Sequence, residues 1–120
     1  MPRRCDAEVV VVGAGVMGLA AAEALSRART RTIVLEQFTA GHDRGSSHGN
    51  ARIFKVSYPE PEFVRLAQES LARWRQLEAE TGDEIVTTTG TIDVGGIAGR
   101  REALERCGAG FELLRATEID

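Results

Sequence analysis

Five residue types spread over the first half of the chain could do chemistry together. They are the glycines of Gly13-Ala14-Gly15-Val16-Met17-Gly18, the acid Glu36, the histidines His42 and His48, the arginine Arg52, and Lys55, the sole lysine. The glycine run has the spacing G-x-G-x-x-G, in which each glycine has its own physical task. Gly13 makes a tight turn, Gly15 lets the backbone approach a pyrophosphate, and Gly18 lets a helix pack close to a sheet. A helix starting there offers unpaired N–H groups and a positive dipole end to phosphates. Glu36 lies eighteen residues past Gly18, where an acid can accept hydrogen bonds from ribose hydroxyls. The competing reading is a glycine turn that binds nothing. His42 and His48 have no cysteine or second histidine at zinc spacing, so no metal site is expected from them.

The elements that must position these groups are legible around them. The run VVVV before Gly13 suits a buried strand, and about Gly15 to Ala28 reads as a helix, with Ala20, Ala21, Ala22 and Ala24 keeping it thin where it lies on the sheet. Thr32 to Leu35 is a second strand that ends in Glu36. No glycine marks the end of the first helix, so a non-glycine residue there is expected to take a left-handed conformation at a cost of about 1 kcal/mol. From Gln37 to Ala51 the chain is rich in Gly, Ser, Asp and Asn, and a loop of this length in a small domain is more often functional than filler. Ile53 to Tyr58 reads as a short strand, which Pro59 and Pro61 stop. Pro61 suits the first position of a helix, and Phe63, Ala67, Leu71, Trp74 and Leu77 form one apolar face along it. Trp74 reads as core on that face. The helix should end at Thr81-Gly82. Short strands are expected at about 84–88, 91–94 and 111–114, a glycine loop at Gly95, Gly96 and Gly99, a helix from about Arg100 to Cys107, and a capped helix start at Thr117-Glu118-Ile119-Asp120.

Length and composition narrow the class. A chain of 120 residues is about one small domain. Its 42% hydrophobic and 28% charged content is ordinary for a soluble globular protein, and nothing points to disorder. A net charge of −3 with scattered basic residues argues against nucleic acid or an anionic membrane as the main partner. No apolar run approaches a membrane span, and the start carries neither a signal-length apolar region nor an Arg/Ser-rich presequence, so a cytoplasmic protein is expected. Cys5 and Cys107 lie far apart without C-x-x-C spacing, and two reduced thiols are expected.

A more specific motif follows the second strand: Gly45-Ser46-Ser47-His48-Gly49-Asn50-Ala51-Arg52-Ile53. Together with the glycine run, the Glu36 strand end, Tyr58 and the later TTTGTIDVGG stretch, it resembles the FAD-dependent amine oxidases of the monomeric sarcosine oxidase, pipecolate oxidase and N-methyltryptophan oxidase group. The resemblance covers essentially the whole chain and matches the N-terminal part of such an enzyme. It implies that Gly13, Gly15, Val16, Met17 and Gly18 hold the FAD pyrophosphate and that Glu36, with Gln37 beside it, meets the adenosine ribose. It further implies that His42, Gly45 and Ser46 line the cofactor, and that His48 and Arg52 sit beside the isoalloxazine ring. A fixed cation there stabilises the negative charge that reduction leaves on the ring. For Arg52 the bland alternative is a surface ion pair, and for His48 a loop-ordering hydrogen bond. Lys55 falls where sarcosine oxidase has the arginine that binds the substrate carboxylate; it keeps the charge and loses the bidentate fork. Lys55 is one departure from the family, and the helix within Gly95 to Gly110, shorter than in these relatives, is a second. The family's flavin-attachment cysteine lies further on than the part this chain matches, and neither Cys5 nor Cys107 sits at its position.

These readings converge on an α/β chain. Residues 1–58 are expected to form a Rossmann-like FAD-binding βαβ unit with a flavin-contacting loop, and residues 59–120 an amphipathic helix and the start of a mixed α+β substrate domain. The expected catalytic residues are His48, Arg52 and Lys55, the cofactor is FAD, and the substrate is a small amine or amino acid. Another chain covering open sheet edges is a further expected partner. Two alternatives remain at this point: a nucleotide-binding remnant without catalysis, and part of an NAD-dependent dehydrogenase, where the GSSHG loop has no role.

Overall fold

The computed structural model describes residues 6–49 and 51–118. Cys5, Asn50 of the loop motif, and Ile119-Asp120 of the expected last helix lie outside the described residues. The chain divides into two compact units, Met1–Arg52 and Ile53–Asp120.

The first unit is a parallel β-α-β arrangement. Strand β1 (Val9–Val12) leads through the glycine turn into helix α1 (Val16–Arg27), and strand β2 (Thr32–Leu35) returns beside β1. The register pairs Val9 with Thr32 and Val12 with Leu35. Helix α1 packs on both strands, and Gly18, Ala22 and Leu25 are its half-buried positions nearest that face, while Ala20, Ala21 and Ala24 are exposed. The opposite face of the sheet is bare: Val10, Val12, Ile33 and Leu35 are all exposed. The helix leaves through Arg29 at φ +58°, the left-handed non-glycine residue that the sequence led us to expect.

The second unit is built on helix α2 (Pro61–Thr81) and helix α3 (Ile97–Arg106). Pro61 opens α2, and Gly82 closes it at φ +80°, with its N–H donating to the Glu78 carbonyl at 2.8 Å. A left-handed C-terminal residue of this kind is where glycine avoids the Cβ penalty. Val64, Ala67, Ala103 and Leu104 are buried, and Val56, Tyr58, Cys107 and Ala109 pack around the cluster. The apolar face of α2 therefore begins at Val64. Phe63, which the spacing had placed on it, is exposed, and Leu71, Trp74 and Leu77 are half-buried, so Trp74 lies at the edge of the core rather than within it.

Several expected elements differ. Among the described residues β1 and β2 form the one sheet, and residues 53–58, 84–88, 91–94 and 111–114 are extended or irregular without strand pairing. A strand needs a neighbour to accept and donate its backbone hydrogen bonds. For 85–88 those bonds go to helix side chains instead. Glu78 Oε1 accepts the N–H groups of Ile85 and Val86, both at 2.7 Å. Arg75 donates to the Val86 carbonyl at 2.7 Å and to Thr88 Oγ1 at 2.8 Å. Gly99, expected in a loop, lies inside α3, which starts at Ile97. At the end of the described chain, Ala116–Glu118 is a 3-10 turn. Glu118 reaches back there to accept the Arg115 N–H at 2.6 Å, the carboxylate half of a capping box.

Candidate nucleotide site

The glycine turn is shaped by stereochemistry that side chains would break. Gly13 has φ +98°, a conformation L-residues rarely adopt, and its N–H donates to the Leu35 carbonyl at 2.7 Å, tying the turn to the end of β2. A Cβ on Gly18 would stand 2.0 Å from the Gly13 carbonyl oxygen, so no side chain fits between α1 and the turn. A Cβ on Gly15 would meet Ser47 Oγ at 3.1 Å. The first residues of α1, Val16 and Met17, are exposed. Leu19 donates the first bond back along the helix, to the Gly15 carbonyl at 2.9 Å, which leaves helix-terminal N–H groups at the open end of the turn.

Glu36 closes the turn from the β2 side. Its Oε2 accepts the Ala14 N–H at 2.8 Å and its Oε1 accepts the Phe38 N–H at 3.0 Å. The Ala14 N–H first, and then that of Phe38, hold the carboxyl below its ordinary value of 4.5. Partial burial opposes the shift, while His42 and the Gln37 N–H add to it. Glu36 is therefore an ionised acceptor at neutral pH with lone pairs to spare. The Gln37 side of this corner is exposed.

The loop after β2 is braced by its own polar groups. His42 Nδ1 accepts the Arg44 N–H at 3.0 Å, which puts the ring proton on Nε2, 3.5 Å from Glu36 Oε1. The His42 ring meets Phe38 edge-on at 4.8 Å between centroids, and the Arg44 guanidinium lies 5.0 Å over the Phe38 ring. His48 Nδ1 contacts the Gly45 carbonyl, the loop-ordering bond weighed above as its bland alternative. Arg52 donates to the Ser46 carbonyl through Nε at 3.2 Å and Nη2 at 2.8 Å, and to the Ala51 carbonyl through Nη1 at 2.7 Å. Its partners among the described residues are carbonyls, so it clasps the loop and makes no ion pair among those residues. A guanidinium has five N–H groups, and these bonds use three of them.

Gly13, Gly15, Val16, Met17, Gly18, Glu36, Gln37, His42, Gly45, Ser46, His48 and Arg52 thus all fall in the first unit, on the turn, the β2 end and the loop that follows. Lys55 falls in the second. It is half-buried, with Nζ 5.0 Å over the Tyr58 ring, and makes no ion pair among the described residues. Ser47 escaped the sequence reading. Its hydroxyl accepts the Val16 N–H at 3.0 Å, whereas the neighbouring Ser46 engages Arg52 through its carbonyl. The motif contained the signal, but which serine of the pair reaches the helix depends on the loop's turns and not on spacing.

A parallel β-α-β unit with a glycine turn that excludes side chains, an open helix N-terminus and an ionised acid at the end of β2 has the architecture of a Rossmann-type dinucleotide-binding fold. The family model described as FAD dependent oxidoreductase matches residues 8–120, and the chain belongs to that family. It is 39% identical over 118 residues to a monomeric sarcosine oxidase of Streptomyces avermitilis, covering 93% of this chain and 31% of that protein. It is 36% identical over 122 residues to a monomeric sarcosine oxidase of Arthrobacter sp., covering 96% of this chain and 31% of the relative. A peroxisomal sarcosine oxidase of Homo sapiens is 40% identical over 88 residues, which are 73% of this chain and 23% of the human protein. The chain spans less than a third of the length of these relatives. Among the described residues no helix is long and apolar enough to cross a membrane.

Proposed function

We propose that this chain is the nucleotide-binding part of an FAD-dependent oxidase acting on the C–N bond of a secondary amine or N-methyl amino acid, with oxygen as the final acceptor and peroxide as a product. The observation that carries the reading is the Glu36 carboxylate hydrogen-bonded to the Ala14 N–H of the glycine turn, which joins a ribose acceptor to a diphosphate seat. FAD fits the residues present: Gly15 carries no Cβ to obstruct it, the absence of one on Gly18 lets α1 sit close to the turn, the start of α1 supplies donors, and Glu36 is ionised. When bound, FAD supplies the hydride acceptor. Gly13, Gly15, Val16, Met17 and Gly18 hold the diphosphate, Glu36 and Gln37 meet the ribose, and His42, Gly45 and Ser46 line the cofactor. His48 and Arg52 stand by the flavin ring, where the Arg52 guanidinium stabilises negative charge. Lys55, free of any ion pair among the described residues, pairs with the substrate carboxylate.

The sheet's bare apolar face is covered by further polypeptide in the working protein, since parallel sheets are normally covered on both faces. The 120-residue chain alone then binds ADP about as well as FAD, holds neither tightly, and releases no peroxide. The native protein, purified with the polypeptide that completes its sheet, carries flavin absorbance and releases peroxide from N-methyl amino acids. There Lys55→Met raises the apparent KM for amino-acid substrates by about tenfold or more, the order expected for a charge-assisted hydrogen bond, and leaves amines without a carboxylate unchanged. A native protein without flavin, or one oxidising no amine, sinks the reading. Equal KM effects on both substrate classes remove Lys55 from it.

A further inference from the structure

Lys55 carries a charge whose partner among the described residues is a ring. Its Nζ stands 5.0 Å from the centroid of the Tyr58 ring, and no hydrogen bond or ion pair of Lys55 is found among those residues. Both side chains are half-buried. The ring is itself held in place. Tyr58 packs against the buried cluster of Val64, Ala103 and Leu104, and the Phe63 ring meets it at 5.9 Å between centroids, tilted by 52°. A line of contact therefore runs from the apolar core between α2 and α3 through Tyr58 to the Lys55 ammonium. A lysine is a point charge on a flexible stem, and fixing that stem when a ligand arrives costs entropy unless something has fixed it beforehand. A ring face attracts an ammonium through its quadrupole, more strongly where the pair is withdrawn from water. The attraction takes one side of the ammonium, whose three N–H donors leave others for a second partner.

We propose that Tyr58 is the positioning residue of Lys55, its ring face holding the ammonium where a substrate carboxylate meets it and so setting the preference for amino acids over amines without a carboxylate. The inference rests on the reading of Lys55 given above and adds the residue through which a lysine can serve there. A guanidinium brings its own planar fork, so its geometry is built into the group. An ammonium takes its geometry from its surroundings. Tyr58 supplies that geometry, and the buried residues of α2 and α3 fix Tyr58 in turn.

Kinetics of the native protein, purified with the polypeptide that completes its sheet, test this with variants that keep the bulk of the ring. Tyr58→Phe retains the ring face and should leave the KM for amino-acid substrates within about twofold of the parent. Fluorine draws negative charge off a ring face with little change of size. The same phenylalanine carrying one, two and three ring fluorines should therefore raise that KM stepwise, by about three- to tenfold at the third, on the scale of a half-buried cation–π contact. The kcat, and the KM for amines without a carboxylate, should stay at parental values. Tyr58→Leu, which keeps an apolar side chain beside Val64, should match the trifluorinated variant. In the Lys55→Met background none of these changes should move KM, because the group they act through is gone. Calorimetric titration with propionate, which carries the carboxylate and no amine to oxidise, should rank the variants in the same order without turnover. A KM indifferent to fluorination, or one that rises as much in the Lys55→Met background, overturns the proposal and leaves the role of Lys55 standing. Equal rises for both substrate classes in the Tyr58 variants overturn it too, because they mark a ring that only shapes the fold. Lys55→Met acting equally on both classes overturns the reading of Lys55 itself, and the proposal with it.

Discussion

The two units hold their shape by different means. Between Asp6 and Arg52 no described residue is fully buried, yet side chains hold the backbone, Glu36 reaching Ala14 and Ser47 reaching Val16 across long stretches and Arg52 bracing Ser46 locally. From Ile53 onward the fixed points are apolar, with Val64, Ala67, Ala103 and Leu104 buried where α2 meets α3. One unit is specified by glycine stereochemistry and polar closure of the glycine turn, the other by packing. The difference teaches where a substitution will be felt. In the first unit a single methyl group in the wrong place meets backbone, which cannot yield, while in the second the side chains share the load.

The sharpest break of that comparison is Gly18→Ala. Its Cβ would lie 2.0 Å from the Gly13 oxygen, 3.1 Å from the Gly13 carbonyl carbon and 3.4 Å from a Val11 methyl. Relief requires α1 to lift from β1 or the turn to open. We expect a destabilisation of about 3 kcal/mol or more, the range of severe overpacking, together with loss of ADP binding. Urea unfolding and ADP titration check it. Parental values in both would mean that the glycine does not set the helix–sheet distance.

The same contrast explains what could be read from the sequence. The strands β1 and β2, the helices α1 and α2 and the left-handed Arg29 were legible because each is signalled within a few residues: an apolar run, a cap, a glycine or its absence. The segments 84–88, 91–94 and 111–114 carry strand composition, but strand formation is a relation between two segments, and composition names no partner. In 85–88 the partner turned out to be the last two turns of a helix. The site was legible to the same extent. Glycine roles and Glu36 follow from local spacing, whereas the Ser47 cap and the Arg52 clasp depend on how a loop without periodicity folds back.

That helix-borne substitute for a strand partner gives the next prediction. Glu78 is held down to about 2 from its ordinary 4.5, chiefly by the Val86 N–H, then by Arg75 and the Ile85 N–H. The folded-state value is the lower one, so the group's contribution is present above about 4.5 and is lost as pH falls from there toward 2. Glu78→Gln removes the titration. The urea midpoints of parent and variant should therefore differ at pH 6, converge through pH 4 and 3, and meet near pH 2. A constant difference across that range would separate the 85–88 segment from Glu78.

The smallest expected effects come from two substitutions that test whether local backbone cost alone decides stability. Gly99 lies within α3, and a Cβ there would meet only the Pro59 Cβ at 3.7 Å, an ordinary contact. Gly99→Ala should stabilise the second unit by about 0.5–1 kcal/mol, because alanine has the better helix propensity and restricts the unfolded chain. Arg29→Gly looks like its mirror in the first unit, since it removes a Cβ from a residue at φ +58° that costs about 1 kcal/mol. The unfolded state answers differently. Glycine there frees the unfolded chain by about 0.4–1 kcal/mol, which offsets the relief. Gly99→Ala should raise the urea midpoint, and Arg29→Gly should leave it nearly unchanged. A gain at Arg29 as large as that at Gly99 would show that strain at the helix exit exceeds an ordinary left-handed penalty and is held in place by the return of β2 to β1. In that case the first unit's dependence on stereochemistry would extend beyond its glycines to the turn at the far end of α1.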